Sequence, residues 1–198
     1  MGVGLAVGCY NVWMIGDPFD VLGLAARFDV TPAEVRRAYL VRVAVAHPDR
    51  GDGGGEEGVD ASALNAALVV LNDPEQRAAA LLARLGGASK EADRSLPAGF
   101  LQEMMQLREG IDEAASAGDT AAVGRAIEVT RARREGHVAE VGRLFKLIEE
   151  GGGSSEAALL KAVRGEMNAW RYVERLIDQI GGQVDGQVGG SAGGGRLD

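Results

Sequence analysis

The sequence predicts an all-helical protein in two parts, and three observations carry that expectation. Clusters of glycine divide the 198-residue chain into helix-length segments, and no segment sustains the period-two alternation of β-branched residues that marks a strand. Pro18, Pro32 and Pro74 each follow Asp or Thr, the pairing of an N-cap with proline in the first helical turn. The second half carries long segments with apolar residues three and four apart. Short connections join them, which favours antiparallel neighbours in a bundle.

In the first half a short helix is expected from Pro18 to about Leu24, and a second from Pro32 to Ala46. Thr31 and Glu34 form a capping box, a hydroxyl at the cap and a carboxylate three residues on. A loop follows from His47 to about Asp60, then a helix from Ala61 to Leu71. Asn72-Asp73-Pro74 ends that helix and caps the next, Pro74 to Leu85, with Glu75 in its first turn. In the second half a helix is expected from Pro97 to about Ala117, with Phe100, Met104, Leu107, Ile111 and Ala114 as its apolar seam. Gly118-Asp119 stops it and caps a helix that runs to about Glu150, with Val123, Ile127, Val138, Val141, Phe145 and Ile148 on one side. A glycine turn at 151–155 starts the last helix, whose seam is Leu160, Val163, Met167, Trp170, Val173, Ile177 and Ile180.

The expected organisation is an N-terminal extension at 1–16, a first domain at 17–86 and a polar linker at 87–96. A three-helix bundle occupies 97–180. The Gly-rich tail at 181–198 is expected to be disordered, because it offers too little burial to offset the entropy of ordering.

Composition narrows the function classes. A formal net charge of −8 argues against nucleic acid as a partner, since neutralising phosphates requires excess Lys and Arg. The single cysteine, Cys9, rules out an internal disulfide framework and fits a cytoplasmic protein. No run of about 18 apolar residues is present to span a membrane. The apolar start of the chain lacks the basic region of a signal peptide, and residues 1–13 read as an extension before a start at Met14. No enzyme is expected: there is no placed nucleophile, metal cluster or phosphate loop, and Gly51-Asp52-Gly53-Gly54-Gly55 follows a helix and lacks the Lys-Ser/Thr of a P-loop. Neither a cofactor nor a metal is expected. His137, beside Arg133, Arg134 and Glu140, reads as solvated.

The sharpest motif is His47-Pro48-Asp49, at the end of a helix that carries Arg36, Arg37 and Arg42 against one acid, Glu34. Proline fixes φ near −65° and holds the imidazole and carboxylate on either side of a rigid turn. Alone, the tripeptide reads equally as a proline ending a helix, with His at the negative end of the helix dipole. On the first helix of the second half, Leu101, Met105, Glu109 and Glu113 follow at every fourth residue, with Gln102 and Gln106 beside them. This stripe is rotated away from the Phe100 seam. It reads as a partner surface, or as a widened core face packed on its own bundle or on the first domain.

In context, Pro18-Phe19-Asp20-Val21-Leu22-Gly23-Leu24, the basic helix, His47-Pro48-Asp49 and Leu71-Asn72-Asp73-Pro74-Glu75-Gln76-Arg77 resemble a J domain. Arg77-Ala78, Leu81-Leu82, Phe100-Leu101, Leu107-Arg108-Glu109, Asp112-Glu113 and Arg171-Tyr172 resemble the HscB family of iron–sulfur co-chaperones, over roughly residues 17–180. The resemblance implies a J domain followed by a C-terminal three-helix bundle. It implies two partners: a DnaK/HscA-type chaperone ATPase, which the J domain stimulates, and an IscU-type iron–sulfur scaffold, which the bundle holds. It places His47, Pro48, Asp49, Arg36, Arg37, Tyr39 and Arg50 at the chaperone. It places Leu101, Gln102, Met105, Gln106, Glu109, Glu113 and Tyr172 at the scaffold. Spacing alone does not bring Tyr172 to that stripe: a last helix parallel to the first would set it at the opposite end of the bundle.

Several positions depart from the family pattern. Arg42 stands where a core Leu is usual, Leu40, Val41 and Val45 where polar or basic residues are common, and Ala46 where Tyr or Leu precedes the motif. The loop from Arg50 to Asp60 is Gly-rich and acidic, and Gln106 stands for an acid. These departures keep two alternatives open: a J protein with a different client, and a degenerate J protein that acts as an adaptor without stimulating ATP hydrolysis.

Overall fold

The computed structural model describes residues 16–46, 60–151 and 155–190, the last nine of them by backbone alone. These residues form helices and connections, with no strand among them. They divide into two compact units, one ending at Gly87 and one beginning at Ala88.

The first unit holds α1 (Pro18–Leu22), α2 (Pro32–Ala46), α3 (Ala61–Asn72) and α4 (Pro74–Arg84). Its helix starts are local chemistry. Asp17 accepts from the Phe19 amide at 2.8 Å, Asp60 from Ser62 at 2.9 Å and Asp73 from Gln76 at 2.9 Å. The capping box at Thr31 is closed in both directions: Glu34 N donates to Thr31 Oγ1 at 3.2 Å, and Thr31 N donates to Glu34 Oε2 at 2.8 Å. Phe19, Leu22, Val30, Val35, Leu64, Ala67, Leu71, Ala78, Leu81 and Leu82 form the core. The buried Arg77 ties three segments together. Its Nε donates to the Phe28 carbonyl at 2.8 Å and its Nη1 to the Leu71 carbonyl at 2.5 Å, and burial lowers its pKa. Arg42 is half-buried, and its guanidinium lies over Gly23, where an added Cβ would meet Nη2 at 2.6 Å. Gly23 has φ +68° and ends α1, so a cation there meets the negative end of a helix.

The hydrogen bonds from Thr31 hold the Glu34 carboxyl below its usual pKa, and Arg27 adds to this. A depressed carboxyl adds stability that is present above its unfolded pKa of 4.5 and is lost as pH falls through the folded value. Glu34→Gln therefore gives a first unit whose stability falls less below pH 4.5 than that of the wild type. Urea titrations at several pH values check this, and parallel acid dependence in the two proteins would count against it.

The second unit holds α5 (Phe100–Ser116), α6 (Thr120–Glu149) and α7 (Glu156–Gly190). Asp119 caps α6 through Ala122 N at 2.9 Å. Phe100, Met104, Ile111, Val123, Ala169, Val173, Leu176 and Ile180 form one core cluster, and Val141, Phe145, Val163, Met167 and Trp170 are buried as well. Helix α6 runs antiparallel to both others: Glu103 pairs with Arg133, and His137 with Glu166. Helices α5 and α7 run parallel, since Phe100 meets Tyr172 and Arg108 meets Gln179.

The fold departs from sequence expectation at three places. Helix α5 starts at Phe100 rather than Pro97, because Gly99 takes φ +79° and interrupts a helical run. The segment before it belongs to the second unit instead of linking the two. Asn168 Nδ2 donates to the carbonyls of Asp93 at 3.1 Å and Ser95 at 2.9 Å. Helix α7 continues past Gly181 to Gly190, through part of the tail expected to be disordered. No proline interrupts it there, and Val184 and Val188 extend the four-residue spacing from Ile180.

Candidate functional site

In the first unit the outer face of α2 is continuous from Arg36 and Arg37 through Leu40 and Val41 to Val45. All five are exposed, the three apolar ones by 55%, 58% and 69%. The face is basic at its start and apolar toward its end. Tyr39 is half-buried, and its hydroxyl donates to Asn65 Oδ1 on α3 at 2.8 Å, so it holds the two helices together more than it faces solvent. His47, Pro48, Asp49 and Arg50 lie outside the described residues.

In the second unit the outer face of α5 carries two large exposed apolar side chains, Leu101 at 56% and Met105 at 62%. Gln102, Gln106, Glu109 and Glu113 are exposed on the same helix. A helix turns about 100° per residue, so Leu101 and Met105 lie on the flank of α5 toward α7, while Gln102, Gln106 and Glu113 project further round. Tyr172 is half-buried and meets the start of α5: its ring stands edge to face on Phe100, with centroids 5.4 Å apart and planes at 86°. The Arg108 guanidinium lies 5.9 Å from the Tyr172 ring centroid. Tyr172 thus lies at the level of Phe100, the residue before Leu101, although α5 and α7 are parallel, contrary to the expectation that parallel helices would set it at the opposite end. Helix α7 begins 16 residues before Tyr172, about 24 Å of helix, and so reaches the level of Phe100 only at its middle.

Beneath this face lies a contact that sequence reading missed. His137 is not solvated; its side chain is 16% exposed, and Nδ1 lies 2.7 Å from Glu166 Oε2. Its ring also stands 5.5 Å from that of Phe100. Neighbouring charges on its own helix suggested solvent, and the partners that bury it come from α5 and α7. In the sequence Arg108 stands out only within Leu107-Arg108-Glu109. Its place four residues before Asp112 and seven after Leu101 was the available signal for its face.

Among the described residues no group of three or more His, Cys, Asp or Glu is arranged to hold a metal ion, and no helix is long and apolar enough to cross a membrane.

Residues 96–181 match the family model described as the HSCB C-terminal oligomerisation domain. The chain is 30% identical over 168 residues to a co-chaperone protein HscB homolog of Burkholderia vietnamiensis, covering 82% of this chain and 90% of the relative. It is 29% identical to the homolog of Bordetella parapertussis, covering 83% and 94%. Among solved structures it is similar to chaperone HscB from Vibrio cholerae, with TM-score 0.60, 20% identity and coverage of 87% and 99%. It is also similar to human co-chaperone protein HscB, with TM-score 0.61, 19% identity and coverage of 85% and 82%. These structural likenesses carry the fold: a J domain followed by a C-terminal helical bundle.

Proposed function

The chain belongs to the HscB family of co-chaperones, and from that premise we propose that it couples a DnaK/HscA-type chaperone ATPase to an IscU-type iron–sulfur scaffold. In this reading the J domain accelerates ATP hydrolysis by the chaperone, and the second unit delivers the scaffold. ATP chemistry belongs to the chaperone alone.

The observation that carries the scaffold half is the exposed Leu101–Met105 pair, on the helix whose first residue, Phe100, meets Tyr172. Exposing two large apolar side chains on neighbouring turns leaves apolar area in water that a partner can cover, and the acids Glu109 and Glu113 supply a polar rim. For the chaperone half the support is that His47-Pro48-Asp49 follows α2 in the sequence and that α2 carries an exposed basic and apolar face. Arg36 and Arg37 on that face favour encounter with an acidic surface, whereas Leu40, Val41 and Val45 add apolar contact along the later part of the helix.

The test is steady-state ATP hydrolysis by a purified DnaK/HscA-type chaperone. The chain alone is expected to raise the rate, and the chain with an IscU-type scaffold to raise it further. Stimulation by the chain with no effect of the scaffold would favour a J protein with a different client. Scaffold binding without stimulation would favour an adaptor.

A further inference from the structure

We propose that Arg108 is the positioning residue of the partner face, holding the Tyr172 ring where it forms one surface with Leu101 and Met105. The inference rests on the reading of α5 as the scaffold-binding helix.

Tyr172 is held from two sides. Phe100, buried in the core, stands against it edge to face at 5.4 Å. Phe100 in turn rests on His137, which Glu166 fixes from α7. The second side is Arg108. Its guanidinium carbon lies 5.9 Å from the Tyr172 centroid, and its Nη2 donates to Gln179 Oε1 at 2.7 Å. Gln179 lies two turns beyond Tyr172 on α7, so one arginine spans from α5 to two points of the neighbouring helix. The amide oxygen fixes the guanidinium without neutralising it, and the cation keeps its attraction for the electron-rich ring face.

Direction along α5 links this contact to the patch. With a 100° step, Arg108 projects within about 20° of Leu101 and about 60° of Met105. Arg108 and Leu101 therefore project from the same side of α5, two turns apart. A half-buried tyrosine has two side-chain torsions, and the buried Phe100 restrains the ring from beneath only. Arg108 restrains it from the solvent side, which a core contact cannot do. A ring already fixed in place loses less rotamer freedom when a partner docks.

The test uses the full chain and a purified IscU-type scaffold as the probe, with affinity read by titration calorimetry. Arg108→Gln is expected to weaken binding roughly three- to tenfold, and Arg108→Lys, which keeps the charge, to fall between Gln and wild type. In a Tyr172→Leu background, Arg108→Gln should have no further effect. Equal losses in both backgrounds would mean that Arg108 touches the scaffold itself and would overturn the positioning role, as would wild-type affinity for Arg108→Gln. Without any partner, the ring proton resonances of Tyr172 should move in Arg108→Gln while the circular dichroism stays the same; unmoved resonances would overturn the proposal. A Leu101→Ala/Met105→Ala variant runs alongside. If it binds normally, the reading of the face fails and the proposal falls with it; if it binds weakly and Arg108→Gln binds normally, only the proposal falls.

Discussion

His47→Gln is expected to abolish stimulation of the chaperone's ATP hydrolysis, returning the rate to that of the chaperone alone. In the sequence His47 and Asp49 flank Pro48, which restricts the backbone between them. An amide in place of the ring loses the imidazole's second nitrogen and its capacity for positive charge. Position 47 follows Ala46, the last residue of α2, in the sequence, and the substitution exchanges one polar side chain for another, so the circular dichroism and the unfolding midpoint are expected to stay unchanged. Steady-state turnover with wild type and variant at equal concentration decides the matter. Equal stimulation would remove the motif from the mechanism.

The double variant Leu101→Ala/Met105→Ala is expected to weaken scaffold binding by about 1–3 kcal/mol, or roughly 5- to 150-fold. Both side chains are more than half exposed, so truncating them opens no cavity in the bundle, and the fold loses little. That separation is the strength of the test, because an affinity loss cannot be charged to unfolding. ATPase stimulation without scaffold should be unaffected, since it depends on the other unit. Unchanged scaffold affinity would show that the exposed pair serves another purpose.

The parts legible in the sequence were those set by neighbours along the chain. Asp17, Thr31, Asp73 and Asp119 announced the starts of α1, α2, α4 and α6, because a cap acts over two or three residues. The spacing of Phe100, Met104 and Ile111 gave the buried seam of α5 for the same reason, and Leu101 and Met105 fell outside it. What was illegible depended on contacts between distant segments. The segment before α5 looked like a linker because its side chains are polar, yet its carbonyls are what Asn168 holds. His137 looked solvated because Phe100 and Glu166 come from other helices. Leu144, Leu159 and Leu176 are buried beside the expected seams, since a long helix with two neighbours buries a wider face than one stripe. The parallel course of α5 and α7 follows from both running antiparallel to α6, and the level of Tyr172 follows from the length of α7 that precedes it.

The unequal helix lengths of the second unit have a thermodynamic consequence. Helices α6 and α7 pair along most of their extent, while the shorter α5 lies against only the first half of α6 and the later part of α7. Release of α5 is therefore a partial opening that spares the α6–α7 hairpin, and it costs less than unfolding the whole unit. The exposed pair and its acids ride on that least anchored helix. A partner that binds α5 only when it is docked holds it down by mass action, adding about 2.7 kcal/mol against release when its free concentration is about 100 times Kd. The scaffold would then act as a third wall of the bundle, and the cohesion of the C-terminal unit would rise and fall with its cargo.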